Sequence, residues 1–256
     1  MEYSAFEADF AAIFQKNGLE RFCTPQITQT FHQFTVLFLS ENAKTNLSAI
    51  RSPRGMIAKH YADCLLAEQY LPAGASVLDV GCGGGFPCLP FAIVRPDLQI
   101  TAIDSTQKKI DFVKKAAETL HLSNLQPVCG RIEEKAQANL RNSFDVVTSR
   151  AVAALPVLAE LTLPFAKVGG ALLALKGAKG REEAAAAQSA IAKLGGKLTA
   201  DDEKTLVCPA EPQETAPGTE LSAWSPELRH LLLIGKEKPT PPEYPRAYAA
   251  ILKRPL

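Results

Sequence analysis

Apolar residues recur at three- and four-residue intervals near the start of the chain, first as Phe6, Phe10, Ile13 and Phe14, then as Ile27, Phe31, Phe34, Leu37 and Phe38. That interval lays each set along one face of a helix. Thr24-Pro25 places a capping hydroxyl before a proline at the first helical position, so a helix opens there and runs to about Ser40. Its aromatic stripe is read as core. Residues 41–54 read as loop, and 55–70 as a further helix carrying Lys59, His60 and Asp63. From Ser76 the pattern changes. Short apolar runs at 76–80, 99–103, 125–129, 144–149, 170–176 and 229–234 predict strands, with helical stretches near 88–94, 106–120, 152–166 and 180–194 between them. Strands alternating with helices predict an α/β fold with a doubly wound, mainly parallel sheet. Residues 1–70 form an N-terminal helical extension, 71–236 the sheet domain, and 237–256 an irregular tail rich in proline and basic groups. The stretch 209–219 reads as an exposed loop between late strands.

Composition narrows the class. Of 256 residues 46% are hydrophobic, and the mean hydropathy of −0.01 is that of an ordinary soluble domain. No run of apolar residues is long enough to span a bilayer, so no membrane partner is expected. Glu2, Glu7 and Asp9 stand where a secretory signal would be basic. Six cysteines lack any Cys-x-x-Cys pair and do not cluster with the four histidines, so no metal site is expected. Free thiols suit the reducing cytosol, and the chain is placed in the cytoplasm. Net charge is +1, so a nucleic-acid partner needs a local basic patch.

The candidate chemistry lies in residues 77–86, Val-Leu-Asp-Val-Gly-Cys-Gly-Gly-Gly-Phe. An apolar run ends in Asp79, a glycine turn follows, and a helix-compatible stretch begins after Pro87. Glycines at 81, 83 and 85 allow close approach of a ligand to the main chain. The Gly-x-Gly-x-x-Gly dinucleotide spacing fails, because Phe86 stands at its sixth position. The spacing Asp-x-Gly-x-Gly-x-Gly instead resembles the first motif of class I S-adenosylmethionine (AdoMet)-dependent methyltransferases. A second strand ends in Asp104, whose carboxylate can accept hydrogen bonds from both hydroxyls of a ribose. Asp79, Asp104 and Arg150 all fall at predicted carboxyl ends of strands, where ligands of such sheets bind.

A longer series of segments is more specific: Asn46-Leu47-Ser48-Ala49-Ile50-Arg51, His60-Tyr61-Ala62-Asp63-Cys64-Leu65, the glycine motif, Ile93-Val94-Arg95-Pro96, Asp104-Ser105 with Lys108-Lys109, Gly130-Arg131-Ile132-Glu133-Glu134, Ser149-Arg150-Ala151 and Leu175-Lys176-Gly177. In this order they resemble the bacterial ribosomal RNA small subunit methyltransferase G family, also called glucose-inhibited division protein B. The tail Tyr244-Pro245-Arg246 with Lys253-Arg254-Pro255-Leu256 is similar to tails in part of that family. Cys88, Cys64 and Thr45 depart from its usual glycine, serine and aromatic residue.

The resemblance implies methyl transfer from AdoMet to N7 of one guanine in 16S rRNA, on the small ribosomal subunit or an assembly intermediate, by a monomer. It places Gly81, Phe86, Ile132, Glu133 and Arg150 around the cofactor, beside Gly83, Gly85 and Asp104. Phe86 and Ile132 would supply apolar surface, and Glu133 would accept from the adenine amine. Arg150 would pair with the ligand carboxylate, reach the RNA, or form a salt bridge beside the sheet. N7 carries a lone pair and no proton, so no general base is needed. His60, Arg150 and Lys176 are candidates for positioning the reaction. Arg51, Arg54, Lys59, Lys179 and Arg181 join them as candidates for a phosphate-binding rim. A methyltransferase acting on a protein or small molecule, and a non-catalytic nucleotide-binding assembly factor, are the alternatives.

Overall fold

A computed structural model of the chain describes residues 2–135, 140–209 and 224–256. Most of the loop expected at 209–219 therefore lies outside the described residues. Helix α1 (Tyr3–Lys16) and helix α2 (Pro25–Thr45) pack through the aromatic stripe. Phe6, Phe10, Phe14, Phe31, Phe34 and Phe38 are all fully buried. Truncating such a ring to alanine costs about 3–5 kcal/mol, so the extension is firmly seated. Thr24 Oγ1 accepts from Ile27 N at 3.3 Å and starts α2 as expected. The helix continues past Ser40 into the segment read as loop, and ends where Asn46 turns left-handed at φ 51°. Asn42 then shapes the following loop. Its Nδ2 donates to Ser48 O (2.9 Å) and Ile50 O (3.1 Å), and its Oδ1 accepts from Ser48 N (2.9 Å). Helix α3 (Pro53–Met56) runs through a π-helical stretch (Ile57–Ala62) into α4 (Asp63–Leu65).

The remaining elements alternate as β1 (Ser76–Val80), α5 (Cys88–Val94), β2 (Gln99–Asp104), α6 (Gln107–Thr119), β3 (Leu125–Cys129), α7 (Ile132–Lys135), β4 (Phe144–Arg150), α8 (Leu155–Thr162), β5 (Ala166–Lys176), α9 (Gly180–Ala186) and α10 (Gln188–Lys193). Then come β6 (Gly196–Pro209), β7 (Trp224–Lys236) and α11 (Tyr248–Lys253). One seven-stranded sheet has the order β3-β2-β1-β4-β5-β7-β6. All neighbours are parallel except β7, which runs antiparallel to β5 and β6. The doubly wound, mainly parallel sheet of the sequence reading is present. Strand order reverses between β1 and β4, where Asp79 lies beside both Ala102 and Thr148.

The sheet and the N-terminal helices share one apolar cluster, in which Phe34 and Phe38 join Val77, Ile100 and Val146. Two further elements, both late in the chain, lie outside the expected set. Strand β6 was not predicted, because Thr199 to Thr205 is almost entirely polar; it is an edge strand held by its pairing with β7. The tail read as irregular carries α11, because Ile251 and Tyr244 bury against the sheet's other face. Among the described residues no helix is long and apolar enough to cross a membrane.

Candidate cofactor and acceptor sites

Strands β1 and β2 end together, and their ends build the first site. Gly81 N (2.8 Å) and Cys82 N (3.1 Å) both donate to Ile103 O, which folds the glycine turn back over β2. Gly81 has φ +73°, and a Cβ there would run into Val152 Cγ2. A side chain is thus barred twice, by conformation and by space. Asp104, at 8% exposure, fastens the turn: its Oδ2 accepts from Gly83 N at 3.1 Å and its Oδ1 from Thr106 N at 2.9 Å. Lys109 Nζ stands 3.5 Å from the same carboxylate.

Above these ends opens a cavity of about 420 Å³ lined by Gly81, Asp104, Lys109, Gly130, Ile132, Glu133, Val152, Leu161 and Tyr248, among others. Of the residues expected at the cofactor, Gly81, Asp104, Ile132 and Glu133 line it. Gly83 shapes it through Asp104. Gly85 faces α5, where a Cβ would strike Leu89. Phe86 and Arg150 lie outside its wall. Phe86 stacks on His60, with ring centroids 4.1 Å apart, inside the aromatic core of α2.

Asp79 lies fully buried beneath the turn. Its Oδ2 accepts from Cys88 N at 3.0 Å, while its Oδ1 has no partner. Burial pushes its carboxyl up to about 7; the Cys88 amide and the Arg150 charge oppose this. An unfolded aspartate titrates near 3.9. Between about pH 4 and 7 the folded protein therefore holds the extra proton, and ligand-free stability falls as pH rises. Asp79→Asn removes that slope. The stability of the variant relative to wild type should rise steadily from about pH 4 to 7 and level off above that in denaturant unfolding; a difference that stays constant over this range would exclude the Asp79 titration.

Arg150 ends β4 and ties the sheet to the helical extension. Its Nη1 donates to Lys59 O (3.0 Å) and Asp63 Oδ2 (2.9 Å), and its Nη2 lies 2.9 Å from His60 Nδ1. A guanidinium only donates, so Nδ1 must accept and Nε2 must carry the proton. That Nε2 then donates to Ser48 Oγ at 2.9 Å. Burial first and the Arg150 charge second lower the His60 pKa to about 3. His60 is a neutral, fully engaged ring with no nitrogen left to act as a base. Asp63 also accepts from Arg229 Nε at 2.6 Å.

These residues line a second cavity of about 700 Å³, which includes Lys59, His60, Arg150, Lys176 and Arg229. It shares Ala151 and Val152 with the first cavity. The loop carrying them is held in a strained form, with Ala151 at φ +56°, a region that favours glycine. Lys176 steadies this loop. Its ammonium, only 8% exposed, donates to Ala153 O at 2.6 Å and pairs with Glu183 at 2.8 Å. Other rim candidates are also engaged: Arg54 pairs with Asp9, Lys59 with Glu227, Arg181 with Asp201 and Glu203, and Arg51 donates to Asn46. Of these, the Arg181 side chain is exposed to water, where ion pairs are weak and a phosphate can exchange for them.

A family model described as rRNA small subunit methyltransferase G matches residues 27–205. The chain belongs to this family. It is 39% identical to the ribosomal RNA small subunit methyltransferase G of Deinococcus radiodurans over 231 residues, 89% of this chain and 85% of that one. With the protein of the same name from Levilactobacillus brevis it shares 37% identity over 255 residues, 97% and 98% of the two chains. Among solved structures, precorrin-6y C5,15-methyltransferase from Geobacter metallireducens superposes with a TM-score of 0.51 at 13% identity, over 75% of this chain and 92% of that one. A SAM-dependent methyltransferase from Aquifex aeolicus gives 0.50 at 16%, over 77% and 97%. At such identities these two show the fold, that of the class I methyltransferases.

Sequence reasoning missed Arg229 and Tyr248. Arg229 meets Asp63 across 166 positions of chain, and nothing local to either residue signals the meeting. Tyr248 sits in a segment whose helix is visible only once Ile251 is seen to bury.

Proposed function

We propose that the protein transfers the methyl group of AdoMet to N7 of one guanine in 16S rRNA, acting as a monomer in the cytoplasm. The observation that carries this reading is the meeting of two cavities at Ala151 and Val152, in a chain of this family. The first cavity fits AdoMet. Asp104 offers a carboxylate for ribose hydroxyls, Gly81 leaves bare backbone, Ile132 gives apolar surface, and Glu133 accepts from an amine. The unpaired Oδ1 of Asp79 is a buried acceptor beneath the same turn. When bound, AdoMet supplies an electrophilic methyl group on a sulfonium.

The second cavity receives the guanine. N7 needs no deprotonation, which agrees with a His60 that has no free nitrogen. The residues work by holding two reactants in line, an effect that can lower a barrier by about 7–11 kcal/mol. Arg150, His60 and Lys176 set the shape of the walls. A donor placed on N7 would block the attacking lone pair, so recognition falls to O6 and other edges of the base.

Small subunits from a strain lacking the modification, incubated with the protein and tritiated AdoMet, should gain label in 16S rRNA. The labelled guanine should become a site of strand scission after borohydride and aniline, the behaviour of an N7-methylated base. Label in ribosomal protein with none in RNA would move the substrate elsewhere.

A further inference from the structure

The C-terminal segment takes part in the first cavity, and no glycine motif or strand-end acid accounts for it. Arg246 anchors it. Its backbone N (2.9 Å) and Nε (2.8 Å) both donate to Glu160 Oε1, and its Nη2 donates to Glu160 Oε2 at 2.6 Å. Glu160 is wholly buried on α8 and Arg246 is half-buried, so this is a charge-assisted clamp at the edge of the core. The same Nη2 reaches Arg254 O at 3.0 Å and closes the segment on itself. Upstream, Arg141 donates to Thr240 O (2.6 Å) and Pro241 O (2.9 Å). Downstream, Ile251 is buried in the cluster that contains Val80, Ile103 and Ile132, the apolar floor of the cavity. Between these anchors Tyr248 is half-buried and forms part of the cavity wall. The Arg131 guanidinium lies 5.7 Å from its ring centroid. Two fixed points on either side of one aromatic ring leave that ring little freedom to leave the wall.

We propose that Tyr248 is a cofactor-binding residue that covers the adenine, and that the strap 244–256 completes the AdoMet site. This rests on the AdoMet reading above. An aromatic face beside Ile132 suits a purine, because every purine offers a flat π surface of the same size. Asp104, at the end of β2 in the same lining, then deals with the ribose, and the strap with the base.

The test is calorimetric titration of wild type, Tyr248→Ala, Tyr248→Phe and Asp104→Ala with AdoMet and with 5′-methylthioadenosine, which keeps the base and ribose but lacks the amino acid. Tyr248→Ala should weaken both ligands by roughly 10-fold, the scale of one lost base–aromatic stack, and Tyr248→Phe should restore both. A chain that had merely loosened would show a lowered melting temperature in the alanine variant. A contact to the base leaves melting within a few degrees and shifts both dissociation constants alike. Unchanged affinity in Tyr248→Ala, with Asp104→Ala impaired, would overturn the strap and leave the AdoMet reading intact. Loss for AdoMet alone would overturn the assignment to the base. A wild type that binds neither ligand would overturn the AdoMet reading, and the strap with it.

Discussion

Asp104→Ala is expected to weaken AdoMet binding by about 100-fold or more while leaving the sheet folded. Hydrogen bonds to an ionised acceptor contribute about 1.5–3 kcal/mol each. One such bond corresponds to about 10- to 150-fold in affinity, and a ribose offers two hydroxyls to one carboxylate. Removing Asp104 also frees Gly83 N and Thr106 N, which it now receives at 3.1 and 2.9 Å. Thr106 lines the cavity and Gly83 is half-buried, so water can replace the lost acceptor, and the cost in stability should be about 1 kcal/mol. Asp104→Asn separates the two roles. It keeps one oxygen for a backbone N–H and loses the charge, so it should retain more of the wild-type stability than alanine while still impairing binding. Calorimetry on the two variants decides the matter: wild-type affinity in both would remove Asp104 from the ribose.

The place of Asp104 at the cavity could be read from sequence because it is set locally. A strand end, a glycine turn and a second strand end lie within thirty residues, and each announces itself by composition. The same holds for the aromatic stripe of α2, whose period alone put Phe31, Phe34 and Phe38 inside. The sites that were hard to read depend on distant partners. Lys176 reads in sequence as a cation for positioning or for a phosphate rim, yet Ala153 O and Glu183 hold it at 8% exposure. Phe86 stands next to the glycine motif, and only the fold shows that His60 takes its face. Strand β6 had no apolar alternation to reveal it, since an edge strand can be held by main-chain pairing alone. Periodicity reports burial along an element; it says nothing of which polar side chains meet when elements are assembled.

Arg150→Ala tests the most connected of those meetings. The guanidinium bridges β4 to Lys59 O, Asp63 and His60, and lies 5.3 Å from the Phe86 ring centroid. Removing one partner of a buried ion pair costs about 3–5 kcal/mol, because the other charge stays buried. Arg229 remains on Asp63 at 2.6 Å, which favours the lower end. A loss of about 3 kcal/mol corresponds to a fall in melting temperature of about 6–12 °C for a chain near this size. The pH dependence reports the loss of the Arg150 charge; that charge lowers the pKa of both His60 and Asp79. His60 is held at about 3 in the folded protein, by burial first and by Arg150 second. Its unfolded imidazole takes a proton near 6.5. Between those values the unfolded state binds more protons, so acidification from about pH 6.5 to 3 erodes wild-type stability. Without Arg150 the folded pKa of His60 rises toward its ordinary value, and acid erodes less. Arg150→Ala should therefore be clearly less stable than wild type at pH 7.5, with the gap narrowing as pH falls toward 4. Arg150→Lys keeps the charge near His60 but not the fork that serves three acceptors, so it should lose stability without narrowing the gap. Denaturant unfolding of the three proteins at pH 7.5 and 4.5 separates these outcomes, and a gap of equal size at both pH values in Arg150→Ala would mean that Arg150 does not set the charge state of His60.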